Sequence, residues 1–204
     1  MSSPQVVVLD HGSGNLRSAQ RALARAGAEV SVTPDLGEAA EADGLVVPGV
    51  GAYAAVMAGI EAIGATDVIA ARVADGRPVL GICVGMQVLF EYGDEHGVVT
   101  KGLGLVPGAV TLLAAPRVPH MGWNTVAVPE GSHLFAGVPN GARFYFVHSY
   151  AAAPVDGQGL VALTVHGGPF VAAFERGTVW ATQFHPEKSG DTGATLLRNW
   201  VQRL

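Results

Sequence analysis

The sequence contains little cysteine and little charge. Cys83 is the only cysteine in 204 residues, so the chain cannot form an internal disulfide, and we expect a cytoplasmic protein. Charged residues make up only 14% against 49% hydrophobic ones, which excludes intrinsic disorder and predicts a packed core. A formal net charge of −5 without any basic run disfavours a nucleic-acid partner.

Long hydrophobic runs are also missing from the sequence. No apolar stretch approaches the roughly 20 residues that a membrane-spanning helix needs. The N-terminal sequence MSSPQVVVLDHG has neither a basic region nor a cleavage site, so we do not expect a signal peptide. At this length the leading expectation is one domain, spanning residues 1–204, with a sizeable core.

The first half of the sequence alternates short apolar runs with helical patterns. The runs predict buried strands at 6–10, 44–49 and 78–83. The helical patterns lie at 15–26, 52–63, 66–75 and 84–92, the last of which Gly93 would end. This alternation predicts a parallel sheet covered by helices.

The second half of the sequence has a different composition. Residues 102–130 are rich in Gly, Pro and Val and predict short antiparallel strands and loops. Two segments rich in β-branched and aromatic residues, 143–150 and 178–185, predict further strands. Apolar residues share one face of 192–204, which predicts a closing helix.

The single cysteine lies in the motif GICVGMQ, where a predicted strand meets a predicted helix. Gly81 and Gly85, two residues to each side of Cys83, leave room for a tight turn of the nucleophile-elbow kind. The helix N-terminus would favour the thiolate, and the Val84 N–H could face the oxyanion of a tetrahedral intermediate. By itself, a lone cysteine is more commonly a small buried hydrophobic residue, so the hypothesis needs a base.

Of seven histidines, His185 is the best candidate for that base. It ends the predicted strand 178–185, and residues i and i+2 of an extended segment face the same side, so Glu187 could orient its imidazole. The alternative is an exposed turn with an incidental histidine. A second glycine-containing loop, PGVG at 48–51, could supply another oxyanion donor because Gly49 and Gly51 allow close backbone approach, or it could be an ordinary turn.

These motifs together resemble the class I, triad-type glutamine amidotransferase family. The segments DHGSGNL, VPGVGAY, LGICVGMQVLFE, PHMGWN, FYFVHSY and TQFHPEKSG occur in one order across nearly the whole chain and resemble the branch that supplies the glutaminase subunit of imidazole glycerol phosphate synthase. The resemblance implies a single three-layer α/β domain, with a central, mostly parallel sheet flanked by helices plus an antiparallel extension. One departure is His11, where that branch usually has tyrosine.

The resemblance also implies a reaction and a partner. Glutamine would be hydrolysed to glutamate and ammonia through a thioester on Cys83, with no metal and no cofactor. Ammonia would pass to a (β/α)8-barrel cyclase subunit in a heterodimer. That subunit would form imidazole glycerol phosphate and an aminoimidazole carboxamide ribotide during histidine biosynthesis.

Mapped onto this sequence, the resemblance assigns three groups of residues besides the triad of Cys83, His185 and Glu187. The backbone of Val84, Val50 and Gly51 would form the oxyanion hole. The glutamine pocket would comprise Gly49, Gln87, Glu95, His148, Ser149 and Tyr150. Residues facing the cyclase and the ammonia exit would be Asn15, Met121, Trp123, Tyr145 and Lys188, although Met121 and Trp123 could equally belong to the core.

Three other functions are compatible with parts of this pattern. The chain could be a glutaminase that feeds anthranilate, GMP or another product, although PHMGWN speaks against this. It could be a degenerate, non-enzymatic subunit, although the intact triad speaks against that. It could also be a stand-alone cysteine hydrolase such as a peptidase.

Overall fold

A computed structural model describes residues 2–204. Its elements in chain order are β1 (Gln5–Leu9), α1 (Leu16–Arg25), β2 (Glu29–Thr33), α2 (Leu36–Glu41), β3 (Gly44–Gly49), α3 (Tyr53–Ala62), α4 (Ala65–Ala74), β4 (Val79–Cys83), α5 (Val84–Gln87), β5 (Phe90–Glu95), β6 (Val98–Lys101), β7 (Val106–Leu112), β8 (His120–Thr125), β9 (Arg143–His148), β10 (Tyr150–Ala152), β11 (Leu160–Val165), β12 (Pro169–Arg176), β13 (Val179–Thr182) and α6 (Gly190–Val201).

A seven-stranded sheet forms the centre, in the order β11-β12-β13-β4-β3-β1-β2. The five strands from β13 to β2 are parallel to their neighbours, and β12 and β11 extend the sheet in antiparallel fashion. Every residue of β3, β4 and β13 is buried, as expected for strands covered by helices on both faces. The predicted α/β fold with a mostly parallel central sheet is therefore confirmed.

Two smaller sheets lie beside the central one. One has the order β10-β7-β5-β6, and β8 pairs with β9 in the other. Strand β7 is antiparallel to β10 but parallel to β5, so the prediction of antiparallel strands in residues 102–130 was only partly right. The predicted strand at 143–150 is divided between β9 and β10, which belong to different sheets.

The helix predicted at 84–92 is wrong beyond its first turn. Helix α5 ends at Gln87, and Phe90–Glu95 is a strand paired on both sides. Gly93 does not end a helix. Instead it lets β5 pass the ring of Tyr53, because a Cβ on Gly93 would lie 2.5 Å from that ring. Pairing with two neighbouring strands thus outweighs the local helical pattern.

Several elements were not predicted from the sequence, namely β2, α2, β5, β6 and the hairpin of β11 and β12. In contrast, α3 and α4 match the predictions 52–63 and 66–75 to within one residue at each end. No single helix among residues 2–204 has the length and apolar character of a membrane span. Helices α3 and α4 reach that length and apolar character only when they are taken together, and the two helices meet at an angle of 90°.

Candidate active site

Cys83 lies on a strained turn at the junction of β4 and α5. Its φ of 57° and ψ of −116° are unusual for a residue with a side chain, and such strain concentrates at functional sites. A Cβ on Gly85 would lie 1.9 Å from the Val47 carbonyl oxygen, and one on Gly81 would lie 2.8 Å from the Gly85 carbonyl oxygen. The two flanking glycines are therefore required by close backbone approach. Helix α5 is only one turn long, so its dipole favours the thiolate less than the predicted longer helix would.

His185 and Glu187 form a buried pair, but not in the predicted way. His185 lies beyond the end of β13, and Glu187 belongs to a 3-10 turn, Pro186–Lys188, rather than to an extended segment. The turn still brings Nδ1 of His185 to 2.8 Å from Oε1 of Glu187. Both side chains are buried, so this contact holds the imidazole in one orientation and presents Nε2 on its other side.

The surroundings of His185 favour its charged form. Burial alone lowers the pKa of His185, but hydrogen bonds and charges from Cys83 and Glu187 outweigh it and raise the pKa to about 9. Among residues 2–204, Nε2 nevertheless has no hydrogen-bond partner. The cysteine sulfur is thus close enough to raise the pKa of the ring, although no hydrogen bond joins it to Nε2.

A cavity of about 190 Å³ opens beside this pair. It is smaller than the roughly 300–1,000 Å³ typical of drug-sized ligands, so it suits a small molecule. Most of the predicted site residues line it: Val50, Gly51, Cys83, Val84, Gln87, Glu95, His148, Ser149, Tyr150, His185 and Lys188. Gly49 and Glu187 do not line this cavity; they border a much smaller void with Asn15.

The 48–51 loop is anchored from the segment before α1. The Ser13 hydroxyl donates to the Val50 carbonyl oxygen at 2.7 Å and lies 3.3 Å from the Val50 N–H, which donates to it. His11 donates from Nε2 to the Pro48 carbonyl oxygen at 2.7 Å, which is the local contact made by this departure from tyrosine. Gly51 has a φ of +89°, whereas Gly49 is needed because a Cβ would lie 2.5 Å from the Gly85 nitrogen.

Two polar side chains face the cavity from other elements. Gln87, one turn after Cys83, donates from Nε2 to the Tyr150 carbonyl oxygen at 2.8 Å. Glu95 accepts a hydrogen bond from the Tyr53 N–H at 2.7 Å through Oε2, so it also caps the N-terminus of α3. The carboxylate of Glu95 therefore connects the cavity to the helix that follows the 48–51 loop.

A buried histidine pair supports the 148–150 segment. His148 donates from Nδ1 to the Tyr150 carbonyl oxygen at 2.9 Å, and its Nε2 lies 3.1 Å from Nδ1 of His120. Burial, with a smaller contribution from neighbouring histidines, lowers the pKa of His148 to about 3 and that of His120 to about 4. Both rings are neutral at pH 7, and each therefore donates at one nitrogen and accepts at the other.

Four of the residues assigned to the partner surface lie on or beside the β8–β9 ribbon, namely Met121, Trp123, Tyr145 and Lys188, whereas Asn15 precedes α1. Met121 and Trp123 are 64% and 51% exposed, so neither belongs to the core. The Trp123 ring contacts the Tyr145 ring edge to face, and Nζ of Lys188 lies 6.0 Å from the centre of the Tyr145 ring. Single exposed apolar residues are ordinary on a protein surface, and these two share one face of β8 because they are two residues apart on the strand.

Three contributors to the site were missed at the sequence level. Gln183 lies two residues before His185, and its side chain reaches Cys83. Ser13 binds Val50 in the 48–51 loop, and His120 binds His148 in the buried histidine pair. Gln183 could have been found, since its carboxamide stands out in a mostly apolar run, VWATQF. The strand pairing of β13 with β4 brings it near Cys83, and no sequence pattern reveals that register.

Comparison with known proteins agrees with this geometry. The family model for glutamine amidotransferase class-I matches residues 7–204. Imidazole glycerol phosphate synthase subunit HisH of Mycolicibacterium paratuberculosis is 62% identical over 206 residues, covering 100% of both chains. The protein of the same name from Streptomyces avermitilis is 59% identical, covering 100% of this chain and 98% of its own.

Solved structures show the same fold at lower identity. PurLQS from Thermotoga maritima superposes with a TM-score of 0.76 at 22% identity, covering 100% of this chain and 99% of that one. The glutaminase domain of CTPS from Trypanosoma brucei gives a TM-score of 0.67 at 16% identity, covering 97% of this chain and 91% of that one. The chain belongs to the class-I glutamine amidotransferase family and, within it, to the HisH subunits of imidazole glycerol phosphate synthase.

Proposed function

We propose that the whole chain is one glutaminase domain that hydrolyses glutamine at Cys83 and delivers ammonia to a synthase partner. One observation carries the chemistry: a strained, buried cysteine faces the same cavity as a histidine that is bound to a buried glutamate. The identity of about 60% to HisH subunits over the full chain supports glutamine as the substrate.

The protonation states decide how the reaction starts. Because the pKa of His185 is about 9, the imidazole is protonated at pH 7 and stabilises a thiolate on Cys83. The thiolate attacks the carboxamide carbon of glutamine, and the tetrahedral intermediate collapses as its C–N bond breaks. His185 gives its proton to the leaving ammonia, and Glu187 keeps the ring oriented.

Hydrolysis of the thioester completes the turnover. Neutral His185 takes a proton from water, the hydroxide attacks the thioester carbon, and glutamate leaves as the C–S bond breaks. The Val84 N–H is proposed as one oxyanion donor, with a second from Val50 or Gly51. In the described state the Val50 N–H is bound to Ser13, which supports a resting loop whose donor becomes available after a change of conformation.

The substrate's amino-acid end is proposed to lie between Gln87 and Glu95, with the backbone of 148–150 along one side. All of these residues line the cavity that contains Cys83. A carboxylate at Glu95 suits the α-ammonium of glutamine. Gly49 acts less directly, by letting the 48–51 loop pack against the cysteine turn.

The proposed partner is a (β/α)8-barrel cyclase subunit, bound as a heterodimer. Exposed Met121 and Trp123 would form the apolar part of the interface, while Tyr145, Lys188 and Asn15 would surround the ammonia exit. The cyclase would combine ammonia with a phosphoribulosyl-formimino aminoimidazole carboxamide ribotide. Its products would be imidazole glycerol phosphate and an aminoimidazole carboxamide ribotide.

The chemistry is tested by replacing the nucleophile. Cys83→Ala is expected to lose glutamine hydrolysis by several orders of magnitude, because the members of a triad act as a unit. A glutamine analogue with a leaving group should label wild-type protein at Cys83 alone. Labelling elsewhere, or full activity of the alanine variant with the cyclase present, would contradict the assignment.

The partner surface is tested with two substitutions of matched exposure. Met121→Glu is expected to weaken binding of the cyclase subunit, because it places a charge in a desolvated contact. Val99→Glu changes a residue on β6 that is 65% exposed, against 64% for Met121, and should leave binding unchanged. Equal effects of the two substitutions in a titration by calorimetry would refute this location of the interface.

A further inference from the structure

A series of hydrogen bonds fixes which way the amides beside the thiol point. The Tyr150 carbonyl oxygen can only accept, so the atom of Gln87 at 2.8 Å from it must be Nε2. The second N–H of that Nε2 is donated to Oε1 of Gln183 at 2.9 Å. A backbone carbonyl thus determines the orientation of two amides whose oxygen and nitrogen ends have the same shape.

The orientation of Gln183 directs a donor at the nucleophile. Since its Oε1 is occupied by Gln87, its Nε2 faces the sulfur of Cys83 at 3.9 Å. Gln183 is fully buried, so water does not compete for that donor. A neutral N–H aimed at sulfur stabilises the thiolate over the thiol, since hydrogen bonds to a charged acceptor are stronger than those to a neutral one.

The same bonds determine what Gln87 can recognise. Both of its N–H groups are donated within the protein, to Tyr150 and Gln183. Only its Oε1, an acceptor, remains for a ligand in the cavity. An acceptor at this position selects a donor such as the α-ammonium of an amino acid and disfavours its carboxylate.

We propose that Gln183 is a positioning residue for the glutaminase reaction, which holds a donor on the Cys83 sulfur and keeps the Gln87 carboxamide oxygen turned toward the substrate ammonium. This inference rests on the proposed function. It adds a buried side chain that joins the nucleophile to the group that recognises the substrate.

The two roles are separated by three variants. Gln183→Met keeps the volume but removes the donor and the acceptor together. Gln87→Met removes the substrate contact and the bond that orients Gln183, but retains the Gln183 amide itself. Gln158→Met is the matched control, because Gln158 is also fully buried and its amide bonds only to the backbone of Pro107, Ala153 and Val155.

The readouts are the pH dependence of Cys83 alkylation by iodoacetamide, and kcat and KM for glutamine in the complex with the cyclase. Cys83 is the only thiol, so alkylation reports on it alone. We expect Gln183→Met to move the pH of half-maximal alkylation up by about one unit, in the lower part of the range that local interactions produce. We also expect its KM to rise about tenfold, the size of effect that loss of one hydrogen bond to a charged group produces.

The other variants should divide these effects. Gln87→Met should raise KM by a similar factor and move the alkylation profile less than Gln183→Met does, because Gln183 keeps its donor but loses the bond that orients it. Gln158→Met should change neither. The double variant Gln87→Met with Gln183→Met should have a KM no higher than either single variant, since the two residues act in one chain. Circular dichroism of each variant checks that it is folded.

An unchanged alkylation profile in folded Gln183→Met would overturn the proposal, and so would additive KM effects in the double variant. If Gln183→Met does not fold, Gln183→Glu is the substitute, because it retains an acceptor for Gln87. This variant should change the alkylation profile and keep KM within about threefold of the wild-type value. An unchanged alkylation profile would again overturn the proposal. Alkylation does not depend on glutamine. A wild-type chain without glutaminase activity would therefore refute the proposed function. The effect of Gln183 on Cys83 alkylation would still be tested independently.

Discussion

Ser13→Ala is expected to release the 48–51 loop and raise the glutaminase rate of the partner-free chain. The hydroxyl of Ser13 holds both backbone groups of Val50, donating to its carbonyl oxygen at 2.7 Å and accepting from its N–H at 3.3 Å. Under the proposed mechanism that N–H is an oxyanion donor, so each molecule with the Ser13 contact in place lacks it.

The magnitude follows from the two hydrogen bonds. Each is worth about 0.5–1.5 kcal/mol net, and both are exposed, so the pair stabilises the resting loop by about 1–2 kcal/mol. That energy corresponds to roughly a 5- to 30-fold change in an equilibrium. The basal rate should rise by this factor, which is below the roughly 10²–10³ that one oxyanion donor contributes.

The assay is glutamine turnover by the chain alone, with the cyclase, and with the cyclase plus its ribotide. Ser13→Ala should raise the first rate and leave the third unchanged, so that the factor of stimulation shrinks. Ser13→Thr retains the hydroxyl and is the control. If basal and stimulated rates of Ser13→Ala fall together, the hydroxyl supports the active loop instead and the reasoning is refuted.

Three further predictions follow from geometry and charge. Gly85→Ala should destabilise the fold by about 3 kcal/mol or more in thermal unfolding, because its Cβ would meet backbone at 1.9 Å, whereas Gly168→Ala, with open space, should be nearly neutral. The folded-state pKa of His148 is about 3, below its ordinary 6.5, so stability is full above pH 6.5 and falls as the pH drops toward 3. By pH 4 the loss should be about 3 kcal/mol in urea titrations, and a flat profile would contradict burial of a neutral ring. Glu187→Gln should lower the pKa of His185 from about 9, so the loss of activity at alkaline pH should begin at a lower pH in the pH–rate profile.

The sequence was most informative where a local pattern decides the outcome. The buried apolar runs predicted β1, β3 and β4, and the glycines around Cys83 predicted the strained turn, since both depend on residues close in sequence. The 84–92 helix failed for the opposite reason. Its period is compatible with a helix, but partners at Val98–Lys101 and Val106–Leu112 recruit the segment into a sheet.

The residues of the site show the same difference between local sequence patterns and long-range contacts. The resemblance assigned the residues that line the cavity, and the structure brings nearly all of them together. Gln183 and Ser13 were not predicted because each acts on a residue far away in the sequence, at separations of 100 and 37 residues, respectively. The pairing of His185 with Glu187 was predicted from an extended geometry that the chain does not adopt, so the right contact came from a wrong local argument.

Some of the energetic costs that the fold carries lie where the proposed chemistry needs them. Cys83 adopts a positive φ, while Nε2 of His185 and Oε2 of Glu187 are buried without a hydrogen-bond partner in the part of the chain that the structure describes. An unsatisfied buried polar atom typically costs about 1–3 kcal/mol, and selection for stability alone would remove it. Nε2 is the atom through which the proton must pass between sulfur and the leaving ammonia. A permanent partner there would hold that proton in place, so its absence is a condition of turnover, and variants that satisfy Nε2 should gain stability as they lose activity.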